Sequence, residues 1–146
     1  MKIAVFPGTF DPFTVGHANI VERALPLFDR IVIGVGVNDD KTPGKQAVER
    51  AASIRKLYAR EPRVSVVTYD DLTVDLCSRE KADFIIRGVR SMKDFEYERD
   101  VAALNKRLSG IETILLFSEE NLAHVSSSAV RELLKYGKDV SEFLPQ

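Results

Sequence analysis

Two short runs of residues carry side chains suited to handling phosphate. The first is Pro7-Gly8-Thr9-Phe10-Asp11-Pro12-Phe13-Thr14-Val15-Gly16-His17. Gly8 lets the backbone approach a ligand closely, and Thr9 offers a hydroxyl. Gly16-His17 opens a segment of helical period, where unpaired amide donors and the positive end of a helix dipole gather. An imidazole there can donate a hydrogen bond to a phosphate oxygen; His17 or Thr14 can equally serve as a plain helix cap. The second run is Val125-Ser126-Ser127-Ser128, just ahead of the last helical segment. One serine is enough for an N-cap, whereas three hydroxyls beside helix-start amides make an anion site. No Glu or Gln stands three residues beyond any of these serines, so no capping box accounts for them.

Cationic side chains recur between the two runs. Lys41 lies in Asn38-Asp39-Asp40-Lys41-Thr42-Pro43; alone it reads as a solvated lysine, and beyond a strand end it could meet an anion. Arg87 directly follows Phe84-Ile85-Ile86, a poor place for an unpaired charge. A carboxylate such as Asp70 or Asp71 would answer it structurally. A bound phosphate would answer it functionally, with Gly88 allowing close backbone approach and Arg90 following. Asp94-Phe95-Glu96-Tyr97-Glu98-Arg99-Asp100 reads as a charged helical face around an apolar stripe, its first acids complementing the dipole.

These residues need a scaffold. Lys2–Phe6, Arg30–Val37, Val64–Tyr69, Phe84–Arg87 and Glu112–Phe117 are short, mostly continuous apolar runs, the pattern of strands covered on both faces. Between them Ile20, Val21, Ala24, Leu25 and Phe28 fall on one helical stripe. Val48, Ala51, Ala52, Leu57 and Tyr58 make a second stripe, and Tyr97, Val101, Leu104 and Leu108 a third. Leu72–Arg79 is a shorter helix, and Ser128–Tyr136 a closing one ended by Gly137. Alternation of strand and helix predicts an α/β fold: a single-domain, Rossmann-like, doubly wound sheet of about five parallel strands over residues 1–146. Ligands of such sheets bind beyond the carboxyl ends of the strands. The loops there are 7–16, 38–46, 70–73, 88–93 and 118–127, and the unusual residues collect in them.

Composition narrows the classes. A chain of 146 residues buries roughly 70% of its unfolded surface and needs no staple. A hydrophobic fraction of 45%, a charged fraction of 29% and a net charge of −1 fit a soluble protein that coats neither nucleic acid nor an anionic membrane. One cysteine, Cys77, excludes an internal disulfide, and with two histidines it makes a protein-built zinc site a poor reading. Cys77 is expected to be a packed thiol. The N-terminal apolar run, Ile3 to Phe6, is too short for a signal peptide or membrane span, so a cytoplasmic location is expected.

The first run resembles the opening signature of the nucleotidylyltransferase superfamily, G-x-F-D-P-x-H-x-G-H, with Thr14 where many members carry the first histidine. With its Pro-Gly-Thr-Phe-Asp-Pro lead it is similar to the phosphopantetheine adenylyltransferases. The serine run matches the second signature, I-S-S-S/T, with Val125 in place of isoleucine. Phe143-Leu144-Pro145 is a further phrase typical of the family, so the resemblance spans the full length. His124 stands where an aromatic residue is frequent, and Val15 where asparagine is common.

That resemblance implies transfer of AMP from ATP to 4′-phosphopantetheine, giving dephospho-coenzyme A and pyrophosphate. It gives the acceptor to Thr9, Lys41, Arg87 and the backbone around Thr73. ATP falls to Thr9, Phe10, His17, Gly88, Val89, Arg90 and Glu98. The loop of Leu122, Ala123, His124, Val125, Ser126, Ser127 and Ser128 completes the ATP site. His17, helped by Lys41, is implied to stabilise the pentacoordinate α-phosphate. Magnesium is expected to ride on the ATP phosphates, since no carboxylate cluster forms a cage. A homohexamer and feedback binding of coenzyme A are implied by kinship. Two other readings stay open: a superfamily member acting on nicotinamide mononucleotide or a phospho-alcohol, and a non-catalytic nucleotide-binding domain.

Overall fold

The structure is a computed structural model that describes residues 1–37 and 45–146. Five strands form one sheet: β1 (Ile3–Gly8), β2 (Arg30–Gly36), β3 (Val64–Tyr69), β4 (Phe84–Val89) and β5 (Glu112–Phe117). Their order is β3-β2-β1-β4-β5, and every neighbouring pair is parallel. The chain winds outward from β1 to β3, then crosses back to lay β4 on the other side of β1. The carboxyl ends of β1 and β4 therefore flank the switch point, where outgoing loops diverge and leave a crevice.

Strand residues alternate between two apolar layers. Ala4, Phe6, Ile31 and Ile33 pack with α1 (Val15–Ala24) and α2 (Lys45–Leu57), while Val5, Val32 and Ile85 pack with α3 (Thr73–Glu80). Cys77 belongs to the second layer, and burial pushes its thiol up to about 11. It is the packed thiol expected of it.

β1 and β4 each run two residues past the expected end, taking in Pro7-Gly8 and Gly88-Val89; β2 stops one short, before Val37. The missing amide of Pro7 falls near a strand end, where a lost ladder bond matters least. In α1, Ile20, Val21 and Ala24 are buried as expected. Leu25 and Phe28 pack on the core from beyond the helix, which gives way at Pro26 to a 3₁₀ turn.

The buried stripe of α2 keeps Ala51 of the expected one, with Tyr58 packed on the core just past the helix, and exchanges the other members. Ala47, Ala51 and Ile54 are buried, whereas Val48, Ala52 and Leu57 face solvent. Small residues at 47 and 51 let the helix lie close to the sheet, a packing demand that hydrophobicity alone ranks wrongly. On α4 (Met92–Ser109) the apolar stripe exists but is uncovered: Tyr97, Leu104 and Leu108 are exposed, and Glu98 is the buried residue. Among the described residues no helix is long and apolar enough to cross a membrane.

Candidate active site

A cavity of about 360 Å³ opens at the switch point between the loop after β1, the end of β4, the start of α4 and the start of α5 (Ser127–Lys135). Thr9, Phe10, His17, Arg87, Gly88, Arg90, Glu98, Leu122, Val125, Ser126, Ser127 and Ser128 all line it. The two serine- and histidine-bearing runs are thus one site. The join is physical: Ser127 Oγ donates to the Pro12 carbonyl at 2.8 Å. Arg131 donates to the Asp11 carbonyl at 2.8 Å and to Ser128 Oγ at 3.1 Å.

His17 reaches the cavity through a reciprocal cap. Thr14, 1% exposed, is the N-cap of α1 and its Oγ1 accepts the His17 amide. In return the Thr14 amide donates to His17 Nδ1 at 2.9 Å. This is the capping box with an imidazole in the place usually held by Glu or Gln. Because Nδ1 must accept, the ring proton of the neutral imidazole resides on Nε2. Burial, then the nearby Arg87 and Arg90 charges, hold the His17 pKa down to about 4. His17 is accordingly a neutral donor at pH 7. The cap occupies Nδ1 and leaves the proton on Nε2, so the cap and the donor role posed by the sequence as alternatives do not exclude each other.

The three serines divide their tasks. Ser126 Oγ is the N-cap, accepting the Ala129 amide at 3.0 Å. Ser127 is the staple just described, and Ser128 is held by Arg131. The first-turn amides of α5, which have no intrahelical acceptor, face the same crevice.

Arg87 has a different partner from the one expected. Neither Asp70 nor Asp71 meets it; Asp71 pairs with Arg79 on the surface. Instead Arg87 Nε lies 3.0 and 2.9 Å from the two Glu98 oxygens and Nη2 lies 2.8 Å from Oε2. Nη1 donates to the Pro7 carbonyl at 2.6 Å. Glu98, 5% exposed, comes from α4 because its helix packs across the end of β4, which the sequence spacing alone did not reveal. Arg90 pairs with Asp94, whose carboxylate also accepts the Arg90 amide at 3.1 Å. At Gly88 a side chain would stand 3.3 Å from Ile20, so this glycine also lets α1 pack against β4.

A second cavity of about 240 Å³ adjoins the first and shares Thr9, Arg87 and Glu98 with it. Thr73 lines this one, its Oγ1 3.0 Å from the Tyr69 hydroxyl, as do Asn105 and Thr113. The Thr113 hydroxyl is buried without a partner among the described residues. Val89 is buried in the sheet and lines neither cavity, nor do Ala123 and His124; the His124 ring lies against Phe143. Lys41 lies outside the described residues. No group of three or more His, Cys, Asp or Glu among the described residues could hold a metal ion.

Residues 5–133 match the cytidylyltransferase-like family. The phosphopantetheine adenylyltransferase of Bacteroides thetaiotaomicron is 53% identical over 146 residues, covering all of this chain and 97% of that protein. The chain belongs to the phosphopantetheine adenylyltransferase family. The enzyme of the same name from Porphyromonas gingivalis (strain ATCC 33277) is 51% identical over 145 residues, 99% of this chain and 95% of that one. In fold it matches a crystal structure assigned as a nicotinate-nucleotide adenylyltransferase of Vibrio parahaemolyticus, with a TM-score of 0.69 at 20% identity over 100% of this chain and 95% of that one.

Within this family member, Arg131 and Asp94 are charged cavity residues that the sequence did not assign to the site. Arg131 stands three positions past Ser128, one turn up the same helical face, a spacing that could have found it. Asp94 sits four residues beyond Arg90 on the start of α4, an equally legible pairing.

Proposed function

We propose that the two adjoining cavities hold the two substrates of an adenylyl transfer, ATP in the larger and 4′-phosphopantetheine in the smaller. The single observation that supports this arrangement is their shared wall. The residues expected to hold triphosphate (His17, Arg90, Ser126 to Ser128) line one cavity, and Thr73 lines the other. Thr9 and Arg87, expected to hold the acceptor's phosphate, stand where the two meet.

In this reading an acceptor phosphate oxygen attacks the α-phosphorus of ATP. The new P–O bond forms as the bond to the β-phosphate bridge breaks, and pyrophosphate leaves. The acceptor oxygen is already anionic, so no side-chain base is required, and catalysis rests on alignment and charge stabilisation. His17 donates from Nε2 to the α-phosphate as negative charge builds there, helped by Lys41. Arg90, Arg131 and the α5 first turn hold the β- and γ-phosphates. Glu98 fixes the plane of Arg87 beside the acceptor. Glu98 and Asp94 are engaged by Arg87 and Arg90, and no carboxylate cluster among the described residues forms a cage, which fits magnesium arriving on the ATP phosphates.

Further expectations belong to the same reading: a cytoplasmic homohexamer, with coenzyme A competing as a feedback ligand. The uncovered stripe of α4 supports self-association.

The test is pyrophosphate release with ATP and 4′-phosphopantetheine, run beside cytidine triphosphate and nicotinamide mononucleotide. Turnover confined to the first pair is expected. Faster turnover with either alternative would reassign the substrate, and tight ATP binding without turnover on any acceptor would make this a binding domain.

A further inference from the structure

His17 is enclosed by aromatic rings from three places in the chain. Phe6, in β1, has its centroid 6.2 Å from the imidazole, and Phe10 presents its edge at 4.9 Å and 89°. Phe13 is the least steeply inclined of the three, a tilted contact on the imidazole at 5.3 Å and 34°. Phe6 and Phe10 are fixed independently of the histidine: one by the strand ladder, the other by a left-handed backbone (φ 52°) that lays its ring over Gly8, where a Cβ would meet it at 2.9 Å. Phe13 is braced from outside the loop. It is 6% exposed and packs against Phe10 at 5.2 Å and edge-on to Tyr58, just past α2, at 6.2 Å.

We propose that Phe13, seated on Tyr58, is a positioning residue for His17, fixing the imidazole plane so that Nε2–H points into the phosphate cavity while Nδ1 stays on the Thr14 amide. The inference rests on the adenylyl-transfer reading for its kinetic consequence only. The covalent link at Cγ and the hydrogen bond at Nδ1 set where the ring lies, yet a single 2.9 Å hydrogen bond leaves its plane room to tilt. A tilted aromatic ring packed on the imidazole resists that tilting, and aromatic pairs of this kind carry directional preference beyond area burial. It also keeps water from the face of the ring, which disfavours the imidazolium. The charged groups that share the cavity with His17 are Asp11, Arg87, Arg90, Asp94, Glu98 and Arg131. Phe13 is itself uncharged, so replacing its ring changes hydration and orientation without removing any of those charges.

The chain holds two histidines, which makes imidazole titration by proton NMR direct. In Phe13→Leu the His17 midpoint should rise from about 4 toward the ordinary value near 6.5, with His124 unmoved. The acid limb of kcat/KM should move up with it, and kcat should fall roughly 10- to 100-fold with both KM values little changed, as for a displaced donor. In a His17→Ala background the same substitution should have no further effect on kcat. Tyr58→Ala, which removes only the brace, should move the midpoint the same way by less, and serves if Phe13→Leu folds poorly. An unmoved His17 midpoint in the folded variants would overturn the proposal, and so would an equal loss of kcat with and without His17. A wild-type protein without turnover would refute the adenylyl-transfer reading, while the NMR midpoint would still decide whether Phe13 holds the ring.

Discussion

At His17 one ring nitrogen is committed to structure and the other to the proposed chemistry, and that commitment makes protonation costly. An imidazolium carries a proton on both nitrogens, so Nδ1–H would face the Thr14 N–H that it now accepts at 2.9 Å, and the capping box would open. Burial first, then the Arg87 and Arg90 charges, keep the folded chain from protonating His17 down to about pH 4, whereas the unfolded chain takes up the proton near 6.5. The lowered folded value means this contribution is intact above pH 6.5. It is lost as pH falls toward 4, by at most about 3 kcal/mol. His17→Gln keeps an acceptor of the type that a capping box uses but does not titrate. Its unfolding midpoint in urea should fall less steeply between pH 6.5 and 4 than the wild type's; parallel curves would show that His17 does not govern that slope. His17→Ala should separately lower kcat by roughly 10²–10³ with ATP affinity nearly unchanged, as for other transition-state donors. Normal turnover in that variant would remove His17 from the chemistry.

Between elements, the Arg87–Glu98 pair ties the end of β4 to α4 and forms part of both cavity walls. Truncating Arg87 would strand a buried carboxylate, so Arg87→Ala should lose about 3–5 kcal/mol of stability and also raise the acceptor KM. Arg87→Ala with Glu98→Ala should regain much of the stability by removing the orphan charge, yet keep the raised KM. Denaturant unfolding and steady-state kinetics on the pair separate the two effects; recovery of KM in the double variant would mean Arg87 acts only by packing. The sequence could not name Glu98 as the partner, because the pairing depends on how α4 lies across β4. What it did carry were features written in contiguous residues. The five strands were legible because sheets covered on both faces have unbroken apolar runs, and the two phosphate-handling runs because each is local. The bonds that join those runs, Ser127 to Pro12 and Arg131 to Asp11, end on backbone carbonyls, and carbonyls leave no mark on residue type. The buried face of α2 was legible only in part, at Ala51 and Tyr58, for a related reason: closeness to the sheet selected Ala47 over the more hydrophobic Val48.

At the scale of the whole molecule the unanswered surface is that of α4. Tyr97, Val101, Leu104 and Leu108 recur at the spacing of a single helical face, yet Tyr97, Leu104 and Leu108 are 64%, 59% and 56% exposed. A stripe with core periodicity and no core against it marks an interaction face more readily than a solvated one. Fully burying a leucine contributes about 1.5–3 kcal/mol, so covering two from every copy is a substantial drive to assemble. The same helix also brings Tyr97, Val101, Ala102 and Asn105 to the second cavity, so a neighbour seated on the stripe would lie beside the proposed acceptor site. Assembly and acceptor binding should then fail together. Leu104→Asp with Leu108→Asp should convert a particle of about six times the 16.4 kDa chain mass into smaller species by sedimentation equilibrium. It should raise the KM for 4′-phosphopantetheine more than that for ATP, because the proposed ATP cavity meets α4 only at its first turns, through Asp94, Tyr97 and Glu98, and draws also on α5 and the β1 loop. If the wild-type chain sediments at its single-chain mass, the stripe serves some other partner and the proposed hexamer falls. If the variant dissociates with both KM values intact, the interface forms on α4 without bearing on the acceptor cavity.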